Sequence, residues 1–380
     1  MPGKRRGMDV VIIGAGTIGL AIAYELAGRG AAVRVFDKGG PGSATWASAG
    51  ILGPYTTPIA SSELAALCDA SMREYPSFIE GLRAHTEIDP GLELGGNLRV
   101  LFDEENASSF RARMSELSGR GLKARYLDGA AARELEPGLA SGVVGASIVE
   151  EEGRIDNRLL LLALHEACLS RGVSITKEDE VLAVESEGDH VRGVRTRDGL
   201  VPASILVNAA GAWSTQIKGA GKGCMLVDPV KGQMLAFAMP RPVVGRVVFF
   251  PGHAANDGYV VPRADGRLLV GATIENADFD VQVTAGGVHA LLDAALEALP
   301  ALASLSLIET WTGLRPLSRD GMPFIGATSL GGYFAATGHF RWGILLTPAT
   351  ARLIADSIEG RPLPAYAEAL SPQRGLSLTR

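Results

Sequence analysis

Gly14, Gly16 and Gly19 stand at the spacing Gly-x-Gly-x-x-Gly, and an acid, Asp37, follows about 20 residues on. These residue types at this spacing suit one task, holding a dinucleotide. The first glycine permits a tight turn, the second lets backbone approach a pyrophosphate, and the third lets a helix pack closely on a strand. A carboxylate where Asp37 stands accepts hydrogen bonds from ribose hydroxyls. The bare motif is weak evidence, because glycine-rich turns are common, so its neighbours decide its meaning.

Those neighbours supply the elements that must position it. Residues 9–13 read Asp-Val-Val-Ile-Ile, a short β-branched run of the kind buried in parallel sheets. Residues 20–27 read as a helix that ends at Gly28 and Gly30, where a helix wants a glycine cap. Residues 32–36 read as a second strand running into Asp37. Strand, turn, helix, strand and acid in this order predict a βαβ unit with phosphates at the helix N-terminus. The order alone does not choose between NAD and FAD. The following run, Gly39 to Leu52, is long, small and rich in hydroxyls. An NAD domain usually goes on quickly to its next helix, whereas Thr45, Ala47, Ser48 and Gly50 are small enough to lie along a bulky flat cofactor. Trp46 reads as a core residue and is assigned no role.

The rest of the composition narrows the field. A chain of 380 residues, 47% apolar and 21% charged, is globular and long enough for two domains. A net charge of −6 gives no basic surface for nucleic acid. Cys68, Cys168 and Cys224 are far apart and the six histidines are scattered, so neither a disulfide framework nor a metal site is expected. Lys4-Arg5-Arg6 before an apolar run has the look of a secretory leader. The glycines within the run, Tyr24-Glu25 after it and the lack of a small-residue cleavage site favour the nucleotide reading and a cytoplasmic protein. No uninterrupted apolar stretch is long enough to span a bilayer.

Further along, five segments stand out in order. They are Leu127–Pro137, Glu152–Asp156 ahead of a helix over 157–171, Ile205–Ser214, Trp311–Pro316 and Gly338–Leu346. Together with the glycine motif they resemble the D-amino-acid oxidase family of FAD-dependent oxidoreductases along the whole chain, with the last two most similar to glycine oxidases. The resemblance implies an α/β fold (α+β overall). A discontinuous Rossmann-type FAD-binding domain would take 1–85, 146–222 and 310–380. A second, mainly antiparallel-sheet substrate domain would take 86–145 and 223–309, where short alternating strands are punctuated by Pro and Gly. Helices are expected near 106–120 and over 285–299, and the tail after Pro372 reads as loose.

The resemblance also implies a set of site residues. FAD would be non-covalent, because relatives with covalent flavin use a cysteine near the C-terminal signatures and none lies beyond residue 224. Gly211, Gly338, Gly343, Ile344 and Leu345 would join the cofactor site. Arg315 would pair with the substrate carboxylate, for which a planar guanidinium is suited. Tyr259 would face the same carboxylate. Arg341 would sit just before a helix reading Ile344 onward, with Pro348 in its first turn, where unpaired N–H groups favour negative charge on the reduced flavin. His339 reads as a structural histidine. Two departures stand out. Asp257 replaces a histidine common in glycine oxidases two residues before the tyrosine, and an acid beside the pocket favours an ammonium over a free carboxylate. Trp342 replaces a polar residue and would narrow or cover the site.

The implied reaction is hydride transfer from the substrate Cα to the flavin, then hydrolysis of the imine to a 2-oxo acid and ammonia. Glycine, sarcosine or a small D-amino acid would be the substrate and O2 the acceptor, as in enzymes that serve thiamine biosynthesis. Two alternatives stay open. One is a dehydrogenase passing electrons to a quinone, peripheral to a membrane. The other is a non-catalytic flavin- or NAD-binding module. A homo-oligomer is compatible with the resemblance, though no interface signal shows in the sequence.

Overall fold

The computed structural model describes residues 8–219, 225–252 and 257–376. Lys4-Arg5-Arg6, Cys224 and the tail end 377–380 lie outside these residues.

Asp9–Ile13 is central in a six-stranded sheet whose spatial order is 324–327, 333–337, 205–208, 9–13, 32–37, 174–177. Every neighbouring pair is parallel except the first. Val10, Val11 and Ile12 are fully buried, as a β-branched run covered on both faces must be. Each such side chain contributes roughly 1.5–3 kcal/mol of burial. The helices Thr17–Gly28, Ser62–Arg83, Asn157–Ser170 and Thr347–Ile358 share its apolar core.

The first helix begins at Thr17, three residues ahead of its sequence reading. It ends as the glycines predict: Gly30 takes φ +90, its N–H bonds to the Ala27 carbonyl at 3.0 Å and the Ala31 N–H to Leu26 at 3.0 Å. The last helix begins at Thr347 rather than Ile344, with Pro348 in its first turn. The 22-residue helix Ser62–Arg83, capped by Ser61, has Pro76 inside it and had no reading from the sequence. Residues 372–376, expected to be loose, form a 3-10 turn.

The second large sheet has eight strands in the order 306–318, 227–238, 267–271, 257–262, 248–251, 97–101, 145–149, 124–128. All neighbours are antiparallel except 248–251 with 97–101. The domain boundaries expected at 146 and 310 therefore fall inside two of its strands, because alternation in a sequence does not reveal which sheet a strand joins. Period-2 alternation splits its two faces. Val248, Phe250, Val260 and Val270 pack under the helix Ala285–Ala298, against Leu291 and Ala295. Phe249, Tyr259 and Val261 face the other way.

Candidate active site

That other face forms one wall of a cavity of ≈ 770 Å³, and the glycine turn of the parallel sheet forms the opposite end. The nucleotide end follows directly from the sequence. Gly14 holds φ +106, and a Cβ there would stand 2.5 Å from the Ala209 carbonyl oxygen, so only glycine fits where two strands end side by side. Gly16 caps the first helix without a side chain, and the first N–H of the helix, that of Thr17, donates to the Thr45 hydroxyl at 3.2 Å. Asp37 accepts from the Ala15 N–H at 2.6 Å and the Gly39 N–H at 2.8 Å, tying the glycine turn to the chain beyond the second strand.

The middle of the cavity is the run from Ser43 to Gly50, and the fold pins it from behind. Asn157 donates to the Thr45 carbonyl at 2.7 Å and accepts from Arg263 at 2.7 Å. Arg263 also donates to Ala49 O at 3.0 Å and Ile155 O at 2.7 Å. Burial lowers the Arg263 pKa to about 10, with Asp156 opposing. Trp311 donates its indole N–H to Ala47 O at 3.0 Å. Trp46 is not a core residue: it is 45% exposed and stacks under the Arg158 guanidinium. At the cavity's C-terminal edge, Ser71 donates to Leu345 O at 2.6 Å and the Tyr75 hydroxyl to Ile344 O, so the long helix holds the turn that carries Gly343 and Ile344.

The far end contains the charged groups. In the strand Asp257–Pro262, Asp257 and Tyr259 are two residues apart and share a face. Tyr259, Phe249 and Arg99 lie side by side on three adjacent strands. Arg315 projects from the long strand Ser306–Ser318, where Gly232 on the paired strand leaves it room: a Cβ at 232 would meet its guanidinium at 2.3 Å. Its Nη1 donates to Thr273 O at 3.0 Å. Burial pushes the Tyr259 hydroxyl pKa up, and the neighbouring Arg315 charge opposes this. Burial, then the Arg315 charge, pushes the Arg341 pKa down. Tyr259, Arg315 and Arg341 all line the cavity.

Thirteen of the sequence-derived residues line the cavity: Gly14, Gly16, Asp37, Thr45, Ala47, Ser48, Gly50, Gly211, Tyr259, Arg315, Arg341, Gly343 and Ile344. Gly19, Gly338 and Leu345 lie behind the wall. Gly19 packs against Gly14, where a Cβ would stand 1.9 Å from its carbonyl oxygen; a Cβ at Gly338 would face Ser318 and Phe324; and Leu345 is 1% exposed in the core. Trp342 is on the lining. His339 bonds to Thr350 at 3.1 Å, and burial lowers its pKa to about 3, so it stays neutral. The concern over Asp257 is removed by a residue the sequence reading passed over. Arg99 pairs with Asp257 through both nitrogens, at 2.6 and 2.9 Å, and cancels its charge. Among the described residues no group of three or more His, Cys, Asp or Glu is placed to hold a metal, and no helix is long and apolar enough to cross a membrane.

Comparison with known proteins decides the family. The model of the family "DAO: FAD dependent oxidoreductase" matches residues 9–357. The chain belongs to this family of FAD-dependent oxidoreductases. It is 37% identical over 356 residues to the glycine oxidase of Geobacillus kaustophilus, covering 92% of this chain and 93% of that protein. It is 35% identical over 378 residues to the bifunctional protein ThiO/ThiG of Synechocystis sp., covering 98% of this chain and 54% of that protein. The crystal structure of glycine oxidase from Geobacillus kaustophilus superimposes with a TM-score of 0.90 at 34% identity, covering 97% and 99% of the two chains.

The cofactor of the family fits the cavity. Its volume is within the range of about 300–1,000 Å³ found for ligand sites. The Gly14 turn and the helix end at Gly16 suit a pyrophosphate. Ser48 lines the cavity, and its buried hydroxyl has no hydrogen-bond partner among the described residues. Asp37→Ala removes the acceptor for two backbone N–H groups as well as a carboxylate on the lining. The expected result is loss of most bound flavin on dialysis, read from the absorbance of the retained protein; full occupancy would remove Asp37 from the cofactor site.

Proposed function

We propose that this protein catalyses the FAD-dependent oxidative deamination of a small amino acid, glycine or sarcosine first among them, with O2 as acceptor. The observation that carries the reading is that Arg315, Tyr259 and Arg341 line the same cavity as the glycine turn of Gly14 and Gly16.

FAD, when bound, would accept the Cα hydrogen of a neutral amine with its two electrons, leaving an iminium that water hydrolyses; binding and orienting the amine fall to the protein. Arg315 grips the substrate carboxylate with two N–H donors, which fixes the direction of the Cα. Tyr259 donates its hydroxyl to the same carboxylate; its raised pKa keeps it a donor at neutral pH. Arg341, on the same lining, would add positive charge that favours a cofactor gaining electrons. Trp342 and Phe249 on the lining restrict both water and the size of the substrate side chain. No protein base is required if the amine arrives neutral, in keeping with Asp257, the carboxylate beside Tyr259, being taken up in an ion pair with Arg99.

The test is aerobic turnover with a panel of small amino acids and N-methyl amino acids, measuring ammonia or amine together with peroxide. Peroxide formed in step with ammonia supports the reading. Dye reduction without peroxide would replace the oxidase by a dehydrogenase. Tyr259→Phe should raise the KM by about 10- to 100-fold with kcat little changed, the loss of one hydrogen bond to a charged group; kinetics equal to the parent would reduce Tyr259 to packing.

A further inference from the structure

We propose that Arg99 is a specificity-determining positioning residue: by holding the Asp257 carboxylate in a two-point ion pair, it keeps the substrate chamber selective for amines that carry a free carboxylate. The inference rests on the amino-acid oxidase reading of the same site.

Asp257 lines the cavity on the same strand face as Tyr259. Unpaired there, its carboxylate would attract any ammonium and repel the acid end of an amino acid from Arg315. The sheet places the remedy at a fixed distance. Tyr259 registers with Phe249, and Phe249 with Arg99 on the next strand. The Arg99 guanidinium passes the Phe249 ring, 5.2 Å from its centre, to reach Asp257 at 2.6 and 2.9 Å.

The guanidinium is also anchored from behind, so it does not swing toward substrate. Its Nε donates to the Thr56 carbonyl at 2.8 Å and its Nη2 reaches the Thr57 hydroxyl at 3.4 Å. Thr56 is itself held by the buried Glu152, through its N–H at 2.8 Å and its hydroxyl at 2.7 Å. The Arg99 side chain is 12% exposed and that of Asp257 35%, so the cation is the concealed member of the pair and the anion the one a ligand meets. The result is an acid at the chamber wall that carries little net field. The two arginines on the cavity lining, Arg315 and Arg341, then set the sign of the chamber.

Arg99→Met keeps much of the stem and deletes the charge. Two carboxylates a few ångströms apart at a protein surface repel enough to change affinity by about 10- to 100-fold. The expected result is a KM for glycine raised by that factor while kcat changes far less, and a KM for glycinamide, which has the amine but no carboxylate, unchanged or lowered. Arg99→Met combined with Asp257→Asn should return the glycine KM to within about threefold of the parent. A merely structural role would raise both KM values together and would not be rescued, and that outcome overturns the proposal. Asp257→Asn alone is the safeguard if Arg99→Met does not fold. It leaves an uncompensated guanidinium, so glycine should bind equally well or better and glycinamide worse; the reverse order contradicts the proposal.

Binding of glycolate and of methylamine to the oxidised holoenzyme, followed by the flavin absorbance, separates this idea from the one beneath it. A holoenzyme that binds glycolate through Arg99-dependent charge balance yet oxidises no amino acid refutes the proposed activity alone. One that oxidises glycine but binds glycolate equally with and without Arg99 refutes the present proposal alone.

Discussion

Arg315→Ala raises the KM for glycine by about 100-fold or more and leaves the flavin bound. The size follows from the type of contact. A paired guanidinium and carboxylate shielded from water is charge-assisted and two-pronged, and truncating one partner costs about 2–5 kcal/mol. At about 1.4 kcal/mol per tenfold, the lower half of that range already gives two powers of ten in kcat/KM. Flavin retention is expected because the Arg315 side chain contacts strands of the antiparallel sheet, through Thr273 and Lys231 carbonyls, and not the glycine turn. Steady-state kinetics with glycine, beside the flavin-to-protein absorbance ratio, checks both halves. An unchanged KM would falsify the anchoring role.

Glu152→Ala should lower the unfolding free energy by about 3–5 kcal/mol. Glu152 is fully buried and accepts from the Tyr55 N–H, the Thr56 N–H at 2.8 Å and the Thr56 hydroxyl at 2.7 Å. Each donor left without an acceptor costs about 1–3 kcal/mol. Because Thr56 supports Arg99, the loss should reach the chamber as well, as a raised KM for glycine. The same residue gives a pH signature. Burial holds its carboxyl at about 7 against an ordinary 4.5, so the folded chain keeps a proton that the unfolded chain releases. The stability associated with that proton is fully present below about 4.5 and is lost as pH rises through 7. That interval is worth roughly 3 kcal/mol. Glu152→Gln keeps an oxygen for the two N–H groups and cannot ionise. Denaturant unfolding from pH 5 to 8 should therefore fall less steeply in Glu152→Gln than in the parent, and identical slopes would remove Glu152 as the titrating group.

The nucleotide end was legible because its determinants are local. A β-branched run, three glycines and a carboxylate act within thirty-odd residues of chain, and the structure has Gly14, Gly16 and Asp37 on the cavity wall. The two faces of the antiparallel sheet were legible for the same reason, since side chains alternate with a period of two. What escaped was whatever depends on pairing between distant strands. Nothing near Asp257 in the sequence announces Arg99, because the two meet only through the strand order 257–262, 248–251, 97–101. A signal existed: an arginine within Asn-Leu-Arg-Val-Leu, an otherwise apolar strand, needs a partner. Arg263 offered another, since it continues the alternation Asp257, Tyr259, Val261 and so faces the cofactor run it clamps. Gly19 and Leu345 show the converse. Gly19 does let helix and strand pack, as its motif requires, and Leu345, read as part of the last helix, lies in the turn before it; a residue that shapes such an element need not touch what the element holds.

The central claim is that this chamber oxidises an amino acid held by its carboxylate. Anaerobic titration of the flavin-loaded protein with glycine, sarcosine and D-alanine tests it most directly. The account predicts that at least one of them bleaches the visible flavin absorbance to completion, while glycinamide requires far higher concentrations to do so. A flavin that dithionite reduces but no small amino acid does would contradict it.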